Sequence, residues 1–202
     1  TEATTEAATT TEATVADATA SEAEGDENYE TGDASLDNVR NQDEIGDNEL
    51  LVVSFGTSFN DSRRLTIGAI EDKLDEEFGK DYSVRRGFPS QIIIDHVKSR
   101  DGIAIDNMAE ALDRAVDNGV KNLVIQPTHL MHGAEYDELM ESVEAYRDQF
   151  ETVKVAEPLL GEVGSDATVI NDDKAAVAEA ITTEAVKDAD YDSLEAAKEG
   201  GA

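Results

Sequence analysis

The sequence predicts an α/β fold, an open parallel four-stranded sheet with helices on both faces, preceded by a disordered acidic tail. Three observations carry this. Short apolar runs and helix-period segments alternate four times after residue 49, which demands parallel strands joined by helical crossovers. The first run, Leu50-Leu51-Val52-Val53, is continuously apolar, as in a strand buried on both faces. Upstream the composition changes kind, and the 202 residues carry a formal charge of -31 with only 5% aromatics, a balance that leaves part of a chain unable to bury a core.

Residues 1–48 are mainly Thr, Glu, Ala, Asp and Gly with Arg40 as the only basic side chain, and they read as a disordered linker. A Thr/Glu/Ala helix is the alternative, opposed by poor Thr propensity and acidic repulsion. Such segments separate folded domains from membranes or walls, so an extracytoplasmic or surface-anchored location is expected; a solubilising tail on a cytoplasmic protein is the other reading. The first residue is Thr1 rather than Met, which fits a processed chain or a fragment.

Residues 49–202 hold the α/β domain. After Val53 comes a small-residue loop, Ser54 to Phe59, and then a helix capped by Asp61 or Ser62, with Leu65, Ala69, Ile70 and Leu74 as its apolar stripe. Tyr82 to Arg86 form the second strand. Ile92 to Val97 and Met108 to Val116 are helical, joined through Asp101-Gly102, with Asn118-Gly119 closing the second. Leu123 to Gln126 make the third strand, Tyr136 to Phe150 a helix, Val153 to Ala156 the fourth strand, and Asp172 to Val186 an Ala-rich helix.

Several classes are excluded. No stretch of about 18 uninterrupted apolar residues exists to cross a bilayer. Cysteine is absent, so any metal must be held by His or carboxylate. The negative balance lacks the clustered Lys and Arg that nucleic acid requires. Homo-oligomerisation stays open.

Ligands of open α/β sheets sit beyond the carboxyl ends of the strands, here the loops Ser54 to Asn60, Gly87 to Gln91 and Pro127 to Glu135. Ser54-Phe55-Gly56-Thr57-Ser58 precedes a helix N-terminus and can cradle an anion, or be a plain strand-helix connection; it is neither a Walker loop nor a GxGxxG turn. Arg63, Arg64, Arg85, Arg86, Lys98 and Arg100 are positive charges clustered in an acidic chain, suited to a polyanion or to pairing with neighbouring carboxylates. Arg85 and Arg86 end a strand beside a ligand-side loop. The segment Gln126 to Tyr136 places His129, His132 and Glu135 within seven positions, which offers a base or ligand near neutrality and a proton-accepting carboxylate. Structural, hydrogen-bonded imidazoles are the bland alternative, and His96, within a helix, reads that way.

Four segments in register resemble the anaerobic sirohydrochlorin cobaltochelatases of the CbiK type: Leu51 to Ser58, Arg86-Gly87-Phe88-Pro89-Ser90, Arg100-Asp101-Gly102-Ile103, and Gln126-Pro127-Thr128-His129 through Gly133-Ala134-Glu135-Tyr136. The likeness runs from about residue 50 to Leu160. It implies a class II tetrapyrrole chelatase of two α/β domains facing a cleft, this being the first, that inserts Co2+ into sirohydrochlorin or a related precorrin in anaerobic cobalamin biosynthesis. By this resemblance Glu135 and His129 are catalytic, and Ser54, Gly56, Thr57, Ser58, Arg86, Phe88 and Ser90 contact the tetrapyrrole substrate. Cobalt is the substrate metal, and His132 is an additional ligand for metal or haem, or incidental.

Departures accompany the likeness. The family's principal metal-binding histidines lie in the second half, and this sequence stops at Gly200-Gly201-Ala202 where that half would begin. The chain alone is therefore expected to be inactive. Gly87 stands where the family usually has a small apolar residue. The competing function is a non-catalytic, extracytoplasmic tetrapyrrole- or metal-binding protein with the chelatase fold; an acidic surface-interaction domain is a third.

Overall fold

The computed structural model describes residues 30–164, 166 and 168–201. The linker expected for residues 1–29 lies outside the described residues. Four strands, β1 (Asn48–Val53), β2 (Ser83–Gly87), β3 (Asn122–Pro127) and β4 (Thr152–Val155), pair in the order β2-β1-β3-β4. All three pairings are parallel, and Val53 stands opposite both Gly87 and Pro127. The chain leaves β1 for one neighbour and later returns to its other side, so the loops after β1 and β3 part at the switch point of the sheet.

Alternation along β1 divides the core. Leu51 and Val53 join Leu123 and Ile125 in a cluster closed by Ala111, Leu112 and Ala115 of α4 (Met108–Asp117) and by Tyr136, Leu139 and Val143 of α5 (Ala134–Tyr146). Leu50, Val52 and Val84 form the opposite cluster, with Leu74 and Tyr82 packed against it. Each fully buried Leu or Val contributes about 1.5–3 kcal/mol, so the apolar run predicted as a central strand anchors both layers. Helix α4 begins with a reciprocal capping box between Asn107 and Glu110. Helix α3 (Gln91–Asp101) ends at Gly102, whose φ of +70° is readily available only to glycine. Helices α6 (Asp172–Asp188) and α7 (Leu194–Gly200) complete the described elements; the sequence pattern foresaw only the first.

The helix after β1 departs from its predicted register. It runs from α1 (Asn60–Arg63) through a π-helical segment, Arg64–Gly68, into α2 (Ala69–Phe78). Phe59, not Asp61 or Ser62, is its N-cap. Of the expected stripe only Leu74 packs inward; Leu65, Ala69 and Ile70 are exposed, while Arg63, Gly68 and Glu71 are buried. A widened π turn adds a residue to the helical repeat, and the inward face is polar because buried partners neutralise it.

Those partners come largely from residues 31–47, which differ from the expected linker. Asp37 accepts from Arg63 Nε at 2.6 Å and from Arg86 Nη1 at 2.8 Å, while Glu71 takes Arg86 Nε and Nη2 at 2.8 and 2.7 Å. Arg40 is buried and pairs with Asp72 and Asp75. Its carbonyl accepts the Arg86 N–H and Gln42 donates to the Val84 carbonyl, so this strap covers the outer edge of β2. Ile45 closes the first core cluster. A second buried chain of charges links Glu49, Arg85, Asp106 and Arg114. The polar composition hid this segment, since its order depends on distant arginines rather than on local periodicity.

Candidate functional site

The carboxyl end of β1 is tied to those of β2 and β3. Ser54 N–H donates to the Gly87 carbonyl at 3.2 Å and Thr128 N–H to the Val53 carbonyl at 2.9 Å. Leu159 and Leu160, after β4, donate to the carbonyls of His129 and Leu130 at 3.0 and 2.8 Å. The loops after β1, β3 and β4 thus form one continuous edge.

His129 lies at its centre. The residue is buried, with 9% exposure, and neither ring nitrogen has a hydrogen-bond partner. Buried polar groups are rarely left this way. Loss of solvation pushes its pKa below the ordinary histidine value, against the opposing pull of the Glu135 carboxylate, so at neutral pH the ring is neutral and keeps a lone pair. It lines a depression of about 360 Å³ with Leu130, Met131, Gly133, Glu135 and Tyr136. Glu135 is exposed in the first turn of α5, whose N-cap Gly133 makes no side-chain capping bond.

Tyr136 separates the two histidines of the loop. Its ring meets His129 edge-on at 6.2 Å and His132 at 4.5 Å, and its hydroxyl donates to the Ala156 carbonyl at 3.3 Å. His132 Nε2 lies 2.6 Å from Glu157 Oε2, and Nδ1 lies 3.6 Å from Glu162 Oε1. The hydrogen bond to Glu157 raises its pKa, with Glu162 adding to the pull. One ring nitrogen is thus engaged by Glu157, while Glu162 stands beyond hydrogen-bond distance of the other. Among the described residues no cluster of three or more His, Cys, Asp or Glu side chains is arranged to hold a metal.

The residues expected to touch substrate divide by accessibility. Gly56, Thr57, Ser58 and Ser90 are partly exposed on the edge. Ser54 is buried, and its Oγ accepts from Thr128 Oγ1 at 2.8 Å. Arg86 and Phe88 have no exposed surface. The guanidinium of Arg86 is consumed by Asp37 and Glu71, and Phe88 packs among Ile94, Val97 and Ile105. Neither can meet a ligand; Phe88 instead supports Gly56, whose φ is +98° and where an added Cβ would lie 2.6 Å from the ring. Arg85 is equally enclosed by Glu49 and Asp106. The polyanion-binding cluster expected from sequence is thus spent largely on internal pairs.

Sequence reading missed the apolar part of the edge. Phe55, Phe59, Leu130, Met131 and Leu159 are all exposed large hydrophobics on these loops. Each resembled an ordinary loop residue, and only the assembled sheet brings them to one edge. A neutral unpartnered imidazole, a carboxylate and an apolar rim can accept protons and metal beside a flat apolar ligand. Among the described residues no helix is long and apolar enough to cross a membrane.

Comparison with known proteins bears on this edge in three ways. The family model of cobalt chelatase (CbiK) matches residues 48–194. A sirohydrochlorin cobaltochelatase of Salmonella typhimurium is 37% identical over 111 residues, which are 55% of this chain and 42% of that protein. The chain therefore matches about two fifths of the length of this curated relative. The crystal structure of a protein described as a cobalamin (vitamin B12) biosynthesis CbiX protein from Marinobacter aquaeolei VT8 covers 69% of the chain and 98% of its own length, at 16% identity and a TM-score of 0.39. That superposition is too loose to transfer residue roles.

Proposed function

Because this chain belongs to the cobalt chelatase (CbiK) family, we propose that the protein inserts Co2+ into sirohydrochlorin or a closely related precorrin, with the loops after β1, β3 and β4 forming one wall of the site. The observation that carries this reading is His129, buried at the switch point with both ring nitrogens unpartnered. Metal insertion forms bonds from Co2+ to the ring nitrogens and releases two pyrrole protons. A neutral imidazole is suited to take one of them. Glu135, exposed at the mouth, receives the incoming cation or a proton, and the rim of Phe55, Leu130, Met131 and Leu159 packs on the apolar face of the macrocycle. Cobalt and the tetrapyrrole are both substrates in this scheme.

The test is Co2+-dependent loss of the free-base sirohydrochlorin absorption, measured on the protein at full length. His129→Ala should slow insertion by roughly 10²- to 10⁴-fold, the usual contribution of a general base. An unchanged rate would remove His129 and the reading built on it. The acidic composition of residues 1–30, which contain no Lys or Arg, supports extending the proposal to a location outside the cytoplasm, which cell fractionation would check.

A further inference from the structure

We propose that Arg100 and Arg63 are positioning residues that hold the Ser54–Asn60 loop through its carbonyl oxygens. The proposal rests on the reading that this loop lines the tetrapyrrole site. Arg63 has no exposed surface; Asp37 neutralises it at Nε, leaving Nη1 to donate to the Thr57 carbonyl at 3.1 Å and Nη2 to Asn60 Oδ1 at 2.7 Å. Arg100 comes from the last turn of α3. Its Nη2 donates to the Ser58 carbonyl at 2.6 Å and to the same Asn60 Oδ1 at 3.1 Å, while Asp101 takes Nε at 3.0 Å and shares Nη2 at 2.6 Å.

Two successive carbonyls are therefore each held by a guanidinium from a different element, and both guanidinium groups converge on one amide oxygen. A planar trans peptide points its N–H opposite its carbonyl. Fixing the Thr57 carbonyl on Arg63 thus directs the Ser58 N–H away from it. The Phe59 N–H, opposite the Ser58 carbonyl, meets Thr57 Oγ1 at 3.2 Å. The path of the loop is set from behind by charge-assisted bonds, the stronger kind. A cation serving only the carboxyl end of α3 would need no contact with this loop, and a pair confined to Arg100 and Asp101 at the surface would contribute little. The planar fork is essential, since Nε and Nη2 of Arg100 together grip Asp101 and so aim Nη2 at the loop, which one ammonium cannot reproduce.

Because Arg63 shares a buried network, Arg100 is the residue to change. In the 15N-labelled chain, Arg100→Gln and Arg100→Lys should both lower the backbone order parameters of Thr57 and Ser58 from about 0.85 towards 0.6, with β1 and β3 unaffected. In the protein at full length, affinity for sirohydrochlorin, used as the probe, should fall roughly tenfold in both variants, as expected for losing a hydrogen bond from a charged group. Unchanged order parameters overturn the clamp. Wild-type affinity in Arg100→Lys beside a loss in Arg100→Gln also overturns it, because charge alone would then be recognised. Greater loop motion with undiminished binding overturns the link between loop and site. Failure of the wild-type protein at full length to bind sirohydrochlorin counts against the proposed function, and the order parameters still decide the clamp.

Discussion

Thr128 Oγ1 donates a hydrogen bond to Ser54 Oγ across 2.8 Å, joining the first residue beyond β1 to the first beyond β3. This bond closes the switch point of the sheet from below, directly beside His129. Thr128→Val keeps the shape and deletes the donor, leaving the buried Ser54 hydroxyl without this partner. The expected loss is about 1 kcal/mol, seen as a lower denaturant midpoint at unchanged slope. Thr128→Ser should retain the wild-type midpoint more closely.

Glu135→Gln separates chemistry from helix capping. If the carboxylate receives metal or proton, insertion by the protein at full length should fall by about 10²- to 10⁴-fold with stability nearly unchanged. If Glu135 only favours the first turn of α5, turnover should persist and stability should drop by roughly 0.3–1 kcal/mol. Rate and melting curve, measured on the same variant, distinguish the two.

Arg86→Met should be among the most damaging single changes. It leaves Glu71 without its two guanidinium bonds and removes one of the arginines that Asp37 faces, both inside the protein. Breaking a buried pair from one side costs about 3–5 kcal/mol. Equilibrium denaturation should show a loss of this order, together with increased proteolysis within residues 31–47; a loss below about 1 kcal/mol would contradict the role assigned to the network.

Glu49 gives stability a pH signature. Burial raises its carboxyl from 4.5 to about 7, against the favourable pull of Arg85. A folded pKa above the unfolded one means that this group's contribution is fully present below about pH 4.5 and is lost as pH rises through about 7. Glu49→Gln should flatten stability between these values, and its advantage over wild type should grow with pH across that window. A variant whose pH profile parallels wild type would show that Glu49 stays ionised throughout.

The parallel α/β order was legible because alternating apolar runs and helical segments are local signals, and β1 to β4 were expected within one or two residues of their observed ends. The helix after β1 was legible as a helix but not in its facing. Its inner side carries Arg63 and Glu71, whose neutralising partners lie 26 and 15 residues away in Asp37 and Arg86. For the same reason, residues 31–47 looked like linker. In the candidate site, His129 and Glu135 stood out by residue type. The unpartnered state of His129, the enclosure of Arg86 and Phe88, and the apolar rim are properties of the assembled edge that no single segment displays.

The internal pairing of Arg40, Arg63, Arg85 and Arg86 with carboxylates also governs how the molecule meets its solutes. These pairs cancel inside, so among the described residues the excess of carboxylates falls on a surface with few basic side chains to interrupt it. Divalent cations gather near such a surface, and a macrocycle bearing several carboxylates is pushed away. Added electrolyte shortens the reach of both effects to about 10 Å at 0.1 M. In the proposed reaction, raising ionic strength slows cobalt capture and speeds entry of the macrocycle, so the slower of the two encounters at a given salt concentration decides whether salt inhibits or accelerates.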